Sequence, residues 1–261
     1  MKVDLAREQI RIYAKLLKIP TFSTYEEVLK RAEQDDDFSA LLLKLMKREQ
    51  EQRLENQNIR RLKQAEFPYT KTLEELDLGQ YSGQLSEFFV RELASCQYIK
   101  DRKNVVMFGN PGRGKTHMAI GLGLKACEAG MNVLFKNAAM LSTELTEARD
   151  NFVLGKLEKR LQRADLLILD EMGYVSFDRH QSELLFRVVA DRSERGSIIV
   201  TTNLPFSEWP SMFDSTPLVA ALVDRLTFRS YLLDMNGSSY RLEQSKKLQS
   251  ETTSPKKRRN G

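Results

Sequence analysis

The sequence predicts an α/β fold, a five-stranded parallel sheet flanked by helices and preceded by a small all-α region. Three observations carry this. From Lys103 onward short apolar runs alternate with helix-like stretches, the pattern of strand–helix units whose strands pair in parallel. The first of these runs, Val105-Val106-Met107-Phe108, leads straight into Gly109-Asn110-Pro111-Gly112-Arg113-Gly114-Lys115-Thr116, a complete G-x-x-x-x-G-K-[ST] loop. Residues 1–66, by contrast, contain no strand-like run and read as helices.

The elements follow in order. Leu5, Ile12, Leu16 and Ile19 fall near one face of a first helix, which ends before Pro20 because the residue preceding a proline avoids the α region. Thr24-Tyr25-Glu26-Glu27 has the spacing of a capping box opening a second helix. A third helix runs from near Asp37 to about Glu66. Its first part, with Leu41, Leu42, Leu43, Leu45 and Met46, has apolar surface to bury, whereas its second part is polar all round. Residues 44–63 hold seven basic and three acidic side chains. Such a helix bridges domains or carries a partner surface. Arg53, Arg60, Arg61 and Lys63 are its candidate phosphate contacts, with a solvated connector as the plainer alternative.

Phe67-Pro68 ends the helix and begins an expected linker over 67–83. The main domain is expected over 84–245, with strands at 104–108, 132–136, 165–169, 197–201 and 229–233. Helices are expected at 115–129, 139–149, 151–162, 178–194 and 216–225. Residues 246–261 form a basic tail with the composition of a disordered segment.

Composition bounds the reading. With 261 residues, 41% of them hydrophobic, the chain can bury a substantial core. The net charge of +5 resides in the tail, since six basic residues there face Glu251 alone and the first 245 residues sum to zero. A basic isoelectric point is therefore weak support for a nucleic-acid groove. Cys96 and Cys127 are isolated and read as buried free thiols of a reducing compartment. No long apolar run marks a membrane span, and no signal peptide is apparent, which points to a cytoplasmic location.

The glycine loop carries the first chemistry. Between a buried strand and a helix, its backbone N–H groups can wrap a triphosphate. Gly109, Gly112 and Gly114 let the chain approach the phosphates closely. Lys115 suits the β- and γ-phosphates of ATP, and the Thr116 hydroxyl suits Mg²⁺. Asn110, Pro111, Arg113 and the following His117 complete the expected nucleotide contacts. The second constellation is Asp165-Leu-Leu-Ile-Leu-Asp170-Glu171, an apolar strand ending in two acids 54 residues after Thr116. It sets both carboxylates at the sheet's carboxyl edge, where open α/β sheets bind ligands. Asp170 suits Mg²⁺ and Glu171 suits a base that takes a proton from the attacking water. The third is Ser197-Ile-Ile-Val-Thr-Thr-Asn203, which brings Asn203 to the same edge, able to hydrogen-bond that water or the γ-phosphate.

These stretches resemble the AAA+ ATPases of the initiator and helicase-loader branch. More narrowly they resemble the IstB-like ATP-binding proteins that assist transposition of bacterial insertion sequences. The likeness is carried by residues 109–117, by Leu-Leu-Ile-Leu-Asp-Glu-Met-Gly-Tyr at 166–174 and by Glu-Arg-Gly-Ser-Ile-Ile-Val-Thr-Thr-Asn-Leu-Pro-Phe-Ser-Glu-Trp at 194–209. Leu-Val-Asp-Arg-Leu at 222–226, Gly-Ser-Ser-Tyr-Arg-Leu at 237–242 and the leader 61–68 extend it. The resemblance implies that Arg225 is an arginine finger entering a neighbouring subunit's site, with Arg229 as its competitor. It also implies that Arg241 senses the γ-phosphate within its own subunit.

The resemblance further implies an ATP- and Mg²⁺-dependent ATPase that forms a homo-oligomer with ATP at subunit interfaces. Such a protein binds double-stranded DNA and assists a transposase. The residues alone leave other readings open. A replicative helicase loader shares the same core, a small-molecule kinase shares the phosphate loop, and an ATP-gated scaffold would bind without turnover.

Overall fold

The computed structural model describes residues 2–32, 36–80, 85–193 and 195–236. The chain divides into two compact units, Met1–Arg60 and a larger one beginning at Arg61.

In the first unit, helix α1 (Lys2–Leu16) leads through a 3₁₀ turn, Pro20–Thr24, into the short α2 (Tyr25–Leu29), and α3 (Phe38–Ala65) follows. The capping box expected at Thr24 does not form. The 3₁₀ turn leaves Thr24 at φ −112°, ψ 25°, away from the extended backbone that a side-chain cap needs. Its hydroxyl donates back to Thr21 O at 3.0 Å, and Glu27 instead accepts from Arg48 at 2.6 Å. Glu49 of α3 is buried and takes the backbone N–H of Thr21 at 3.1 Å and its hydroxyl at 2.5 Å, which ties the 3₁₀ turn to α3.

The second unit is built on a sheet of β1 (Asn104–Phe108), β2 (Val133–Asn137), β3 (Leu166–Asp170), β4 (Ser197–Thr202) and β5 (Ser230–Asp234). All four pairings are parallel, in the order β2-β3-β4-β1-β5. The strands alternate faces residue by residue. Val106, Leu134, Leu167, Leu169, Ile198 and Val200 join one core, covered by α7 (Ala138–Asp150), α8 (Leu154–Arg163), α9 (Arg179–Arg192) and α10 (Thr216–Thr227). Val105, Met107, Val133, Phe135, Leu166, Ile168 and Ile199 join the other, covered by α4 (Glu87–Ala94), α5 (Gln97–Lys100) and α6 (Lys115–Glu128).

The expected strands and helices from 104 to 234 are all present within a few residues. Two features differ. Helices α4 and α5 stand in a stretch with no assigned element. Ser86 starts α4 by accepting from Phe89 N at 3.2 Å, and Val90 and Leu93 anchor it. The stretch taken as a linker also joins the core, with Leu73 buried and Phe67, Leu76 and Leu78 packed against the second cluster. Two glycines of α6 admit it, because a Cβ on Gly123 would stand 2.8 Å from the Phe67 ring and one on Gly121 2.6 Å from the Leu73 side chain.

Arg192, at the end of α9, is 2% exposed. Its guanidinium donates to the carbonyls of Leu161 at 2.6 Å, Ala164 at 2.9 Å, Asp165 at 3.3 Å and Ser197 at 3.0 Å. It thereby satisfies the orphan carbonyls where α8 ends and β3 begins. Burial holds its pKa down at about 10, with Asp165 opposing that shift.

Candidate active site

The carboxyl ends of β1, β3 and β4 lie side by side, and each delivers one part of the site. After β1 the chain turns through the glycine loop into α6, whose N-terminus points its free N–H groups outward. Gly112 and Gly114 take φ of 77° and Gly109 takes 140°. At Gly109 the approach is also too close for a side chain, since a Cβ would stand 2.6 Å from the Met235 carbonyl carbon. Residues just after β5 thus press on the loop, and Asn236 Oδ1 accepts from Asn110 N at 3.1 Å. Lys115 is buried, with Nζ donating to Gly109 O at 2.6 Å and Asn110 O at 2.9 Å. A phosphate entering the loop would take those protons from the carbonyls.

Asp170 closes β3 and is 4% exposed. Its Oδ1 accepts from Thr116 Oγ1 at 2.9 Å and from Thr201 Oγ1 at 2.6 Å. Burial pushes its pKa up from the usual carboxylate value, and the hydrogen bonds from Thr201 and Thr116 work against that shift. A hydroxyl and a carboxylate in contact, opening on a phosphate loop, are the hard-oxygen donors Mg²⁺ takes, with nucleotide oxygens and water completing its shell. Among the described residues no group of three or more His, Cys, Asp or Glu could hold a metal ion.

Glu171 follows at φ 61°, a left-handed backbone that costs a side-chain-bearing residue about 1–2 kcal/mol. Its N–H donates to Thr201 Oγ1 at 2.9 Å. Its carboxylate accepts from Asn137 Nδ2 at 2.8 Å. Asn137 ends β2, pairs in register with Asp170 and also caps α7 through Oδ1. Asn203 stands directly after β4 with its Oδ1 buried and without a hydrogen-bond partner. Gly173 makes this crowding possible, since a Cβ there would stand 2.6 Å from that oxygen.

A cavity of about 300 Å³ is lined by Tyr69, Lys71, residues 111–117, Glu171, Tyr174, Thr201 and Thr202. It adjoins a larger one of about 920 Å³, which shares Tyr69, Thr116 and Glu171 and extends under Phe135, Lys136, Asn137 and Met140. His117 aims Nε2 at Thr72 O, 2.6 Å away, so its ring holds the segment before α4 against the loop.

The structure therefore brings together the loop 109–117, Asp170, Glu171 and Asn203. It adds Asn137 and Thr201, which local sequence gave no reason to select. Arg225 is elsewhere. It belongs to the last turn of α10, whose carbonyls at Arg225 and Leu226 accept from Asn104 Nδ2, both at 3.2 Å. Asn104 opens β1, so Arg225 sits at the amino edge of the sheet, a strand's length of about 13 Å from the phosphate loop. Its guanidinium lies 4.9 Å over the Phe186 ring and donates to Ala221 O at 3.0 Å. Arg229, the competing finger, follows the same helix and is exposed. Arg241 lies outside the described residues, as do the tail 246–261 and the segment 237–242.

The candidate DNA contacts of α3 divide in their surroundings. Arg53 pairs with Glu49 at 2.7 Å and donates to Lys18 O at 2.6 Å, which commits it to the first unit's own fold. Arg60 and Lys63 are exposed, and Arg61 is half-buried. Among the described residues no helix is long and apolar enough to cross a membrane.

A parallel sheet in this strand order, a phosphate loop after its first strand and an acidic pair after its third define a P-loop nucleotide-binding core of the AAA+ class. Solved structures of that fold agree with it. The AMPPCP-bound DnaA of Aquifex aeolicus superposes with a TM-score of 0.56 at 19% identity, covering 71% of this chain and 56% of that one. The DnaC helicase loader gives 0.50 at 20% identity over 61% of this chain and 96% of that one. The sequence profile of the IstB-like ATP binding protein family matches residues 13–248, and the chain belongs to that family. A Pseudomonas aeruginosa protein named as an ATP-binding protein of insertion sequence IS21 is 42% identical over 187 residues, 72% of this chain and 70% of that protein. Its counterpart from IS5376 of Geobacillus stearothermophilus is 32% identical over 94% of this chain and 98% of its own length.

Proposed function

We propose that this protein hydrolyses ATP at a site completed by a second copy of itself. That cycle would control its assembly on double-stranded DNA, where it assists a transposase. The observation that carries this reading is the division of the site between two edges of one sheet. The phosphate loop, Asp170 and Glu171 occupy the carboxyl edge, and Arg225 the amino edge, too far away to serve its own nucleotide. The IS21 and IS5376 relatives, named for insertion sequences, support the transposition setting.

The chemistry follows from the side chains. The loop N–H groups and Lys115 would hold the phosphates. Thr116 and Asp170 would hold Mg²⁺, which neutralises phosphate charge when bound. Once Glu171 leaves Asn137, it takes a proton from a water whose oxygen attacks the γ-phosphorus. The bond from that phosphorus to the β–γ bridging oxygen breaks, and ADP keeps the electron pair. Asn203 Oδ1 would accept the water's second proton in a hydrogen bond and so orient it. Arg225 of a neighbouring copy would offset the charge developing on the equatorial oxygens. By the family resemblance, Arg241 is the proposed γ-phosphate sensor of its own subunit. Arg60, Arg61 and Lys63 remain the α3 candidates for DNA phosphates, whereas Arg53 is committed to its own unit's fold.

The test is the Glu171→Gln protein with duplex DNA, ATP and Mg²⁺. The proposal expects large, long-lived complexes on DNA that disperse when ATP is withdrawn. A protein that stays monomeric and unbound under those conditions contradicts it. A replicative helicase recovered in place of a transposase would move the partner assignment to the loader reading.

A further inference from the structure

The larger cavity at the carboxyl edge, about 920 Å³, borders the nucleotide site at Thr116, Asp170 and Glu171, while residues 109–115 of the glycine loop do not line it. Phosphates held by the loop therefore leave it open. Its floor is aromatic and fixed, since Phe135 is buried and its ring centre stands 6.2 Å from that of Phe67. Met140, in the first turn of α7, lines its wall and is 72% exposed. The backbone of Met140 is held in place, its N–H donating to Asn137 Oδ1 at 3.3 Å. A thioether on an unbranched stem adapts its shape to a further ring. The rim is acidic, with Lys136 the one cation among the described lining residues, against five carboxylates.

Phe228 stands at the other edge of the sheet. It closes α10, its N–H donating to Asp224 O at 2.9 Å, and its side chain is 54% exposed. It borders one small cavity together with Arg225, so the two lie close to each other. Residues 225–229 contain two arginines and no acid.

If Arg225 of one copy serves the nucleotide of another, the residues beside Arg225 must cover the ground beside Glu171. That ground is the larger cavity. A half-exposed ring then meets an apolar floor, and a basic turn meets an acidic rim, the complementarity of a central aromatic anchor with a polar surround. We infer that the cavity seats Phe228 of a second copy of this chain, and that Phe228 is a positioning residue that anchors the end of α10 beside the nucleotide. Within the single chain Arg225 lies over Phe186 and donates to Ala221 O. The seat does not require that guanidinium to be free beforehand, because the anchor is the ring. The inference rests on the shared-site reading above and adds the contact that would hold two copies in register.

Cross-linking in the full chain tests it. Phe228 replaced by the photoreactive aromatic p-benzoylphenylalanine keeps a ring at that position. Irradiated with ATP and Mg²⁺, it should give a two-chain product in which residue 228 is joined to Met140 or Tyr69 of the other chain, as peptide mapping would show. A product joined at any other surface, or none from copies that do associate, overturns the inference. A product joining residue 228 to residue 228 also does so, because a head-to-tail contact brings two different surfaces together. Turnover supplies the second readout. Phe228→Ala should keep the melting temperature and need about ten-fold more protein, or beyond, to reach half-maximal turnover per subunit, and Phe228→Leu should recover most of that shift. Arg225→Ala should instead lower the plateau. A lowered plateau at an unshifted midpoint in Phe228→Ala overturns the anchoring role, as does no change at all while Arg225→Ala is impaired, and the shared site stands in both cases. If the wild-type copies do not associate with ATP, or Arg225→Ala turns over normally, the shared-site reading fails first and the seat falls with it.

Discussion

Asp170 is a buried carboxylate whose neighbours only partly compensate its desolvation. Its pKa is raised, so its contribution to stability is present at low pH and is lost as pH rises through the raised value. Burial thus opposes the ionised form of Asp170 in the ligand-free protein, and Mg²⁺ bound there would favour it. Replacing Asp170 with Asn should stabilise the ligand-free protein by about 1 kcal/mol, a rise in melting temperature of about 2–4 °C. The same change should abolish the extra thermal stabilisation that Mg²⁺ adds to ATP, and differential scanning calorimetry at pH 7.5 measures both. Asn137 supports a second prediction. Asn137→Ser keeps an α7 cap but is too short to reach Glu171. Turnover should rise a few-fold, as a coupled phosphate-release assay would show. A third concerns Cys127, whose thiol burial pushes up to about 11. The thiolate is the reactive form, so a disulfide-exchange reagent at pH 8 should label the native protein far more slowly than the unfolded one.

At the scale of elements, Arg192 is the cross-tie between α8, α9 and two strands. Its replacement by Leu would leave four carbonyls with one donor fewer each, and should cost about 2–4 kcal/mol. Urea unfolding would show this as a lower midpoint with an unchanged slope. The same elements explain what could be read beforehand. The strands and helices from β1 to β5 were legible because each is an uninterrupted apolar run or a periodic stretch, and each functional acid or loop adjoins its run in sequence. Asn137 and Thr201 were not legible, because they reach Asp170 and Glu171 sideways, from neighbouring strands. Strand order is a long-range property that no local pattern carries. The two short helices α4 and α5 lack the length for a periodic signal, and Thr24 had the letters of a capping box without its backbone conformation. The segment after Phe67 looked like a linker because its apolar residues are irregularly spaced. What admits it to the core is a pair of glycines in α6, about 50 residues away in sequence.

For the whole molecule, the arrangement suits the proposed ATPase cycle, in which a second copy would complete the site. The carboxyl edge gathers the phosphate loop, Asp170 and Glu171, and the opposite edge carries Arg225, the arginine proposed to reach another copy's nucleotide. A ligand touching two copies stabilises their contact by its differential affinity, so nucleotide state and assembly become one equilibrium. Turnover per subunit, measured against protein concentration at saturating ATP and Mg²⁺, tests this most directly. A shared site predicts that it rises steeply with concentration and levels off once the copies are associated. A rate per subunit that stays flat across that range would contradict the account.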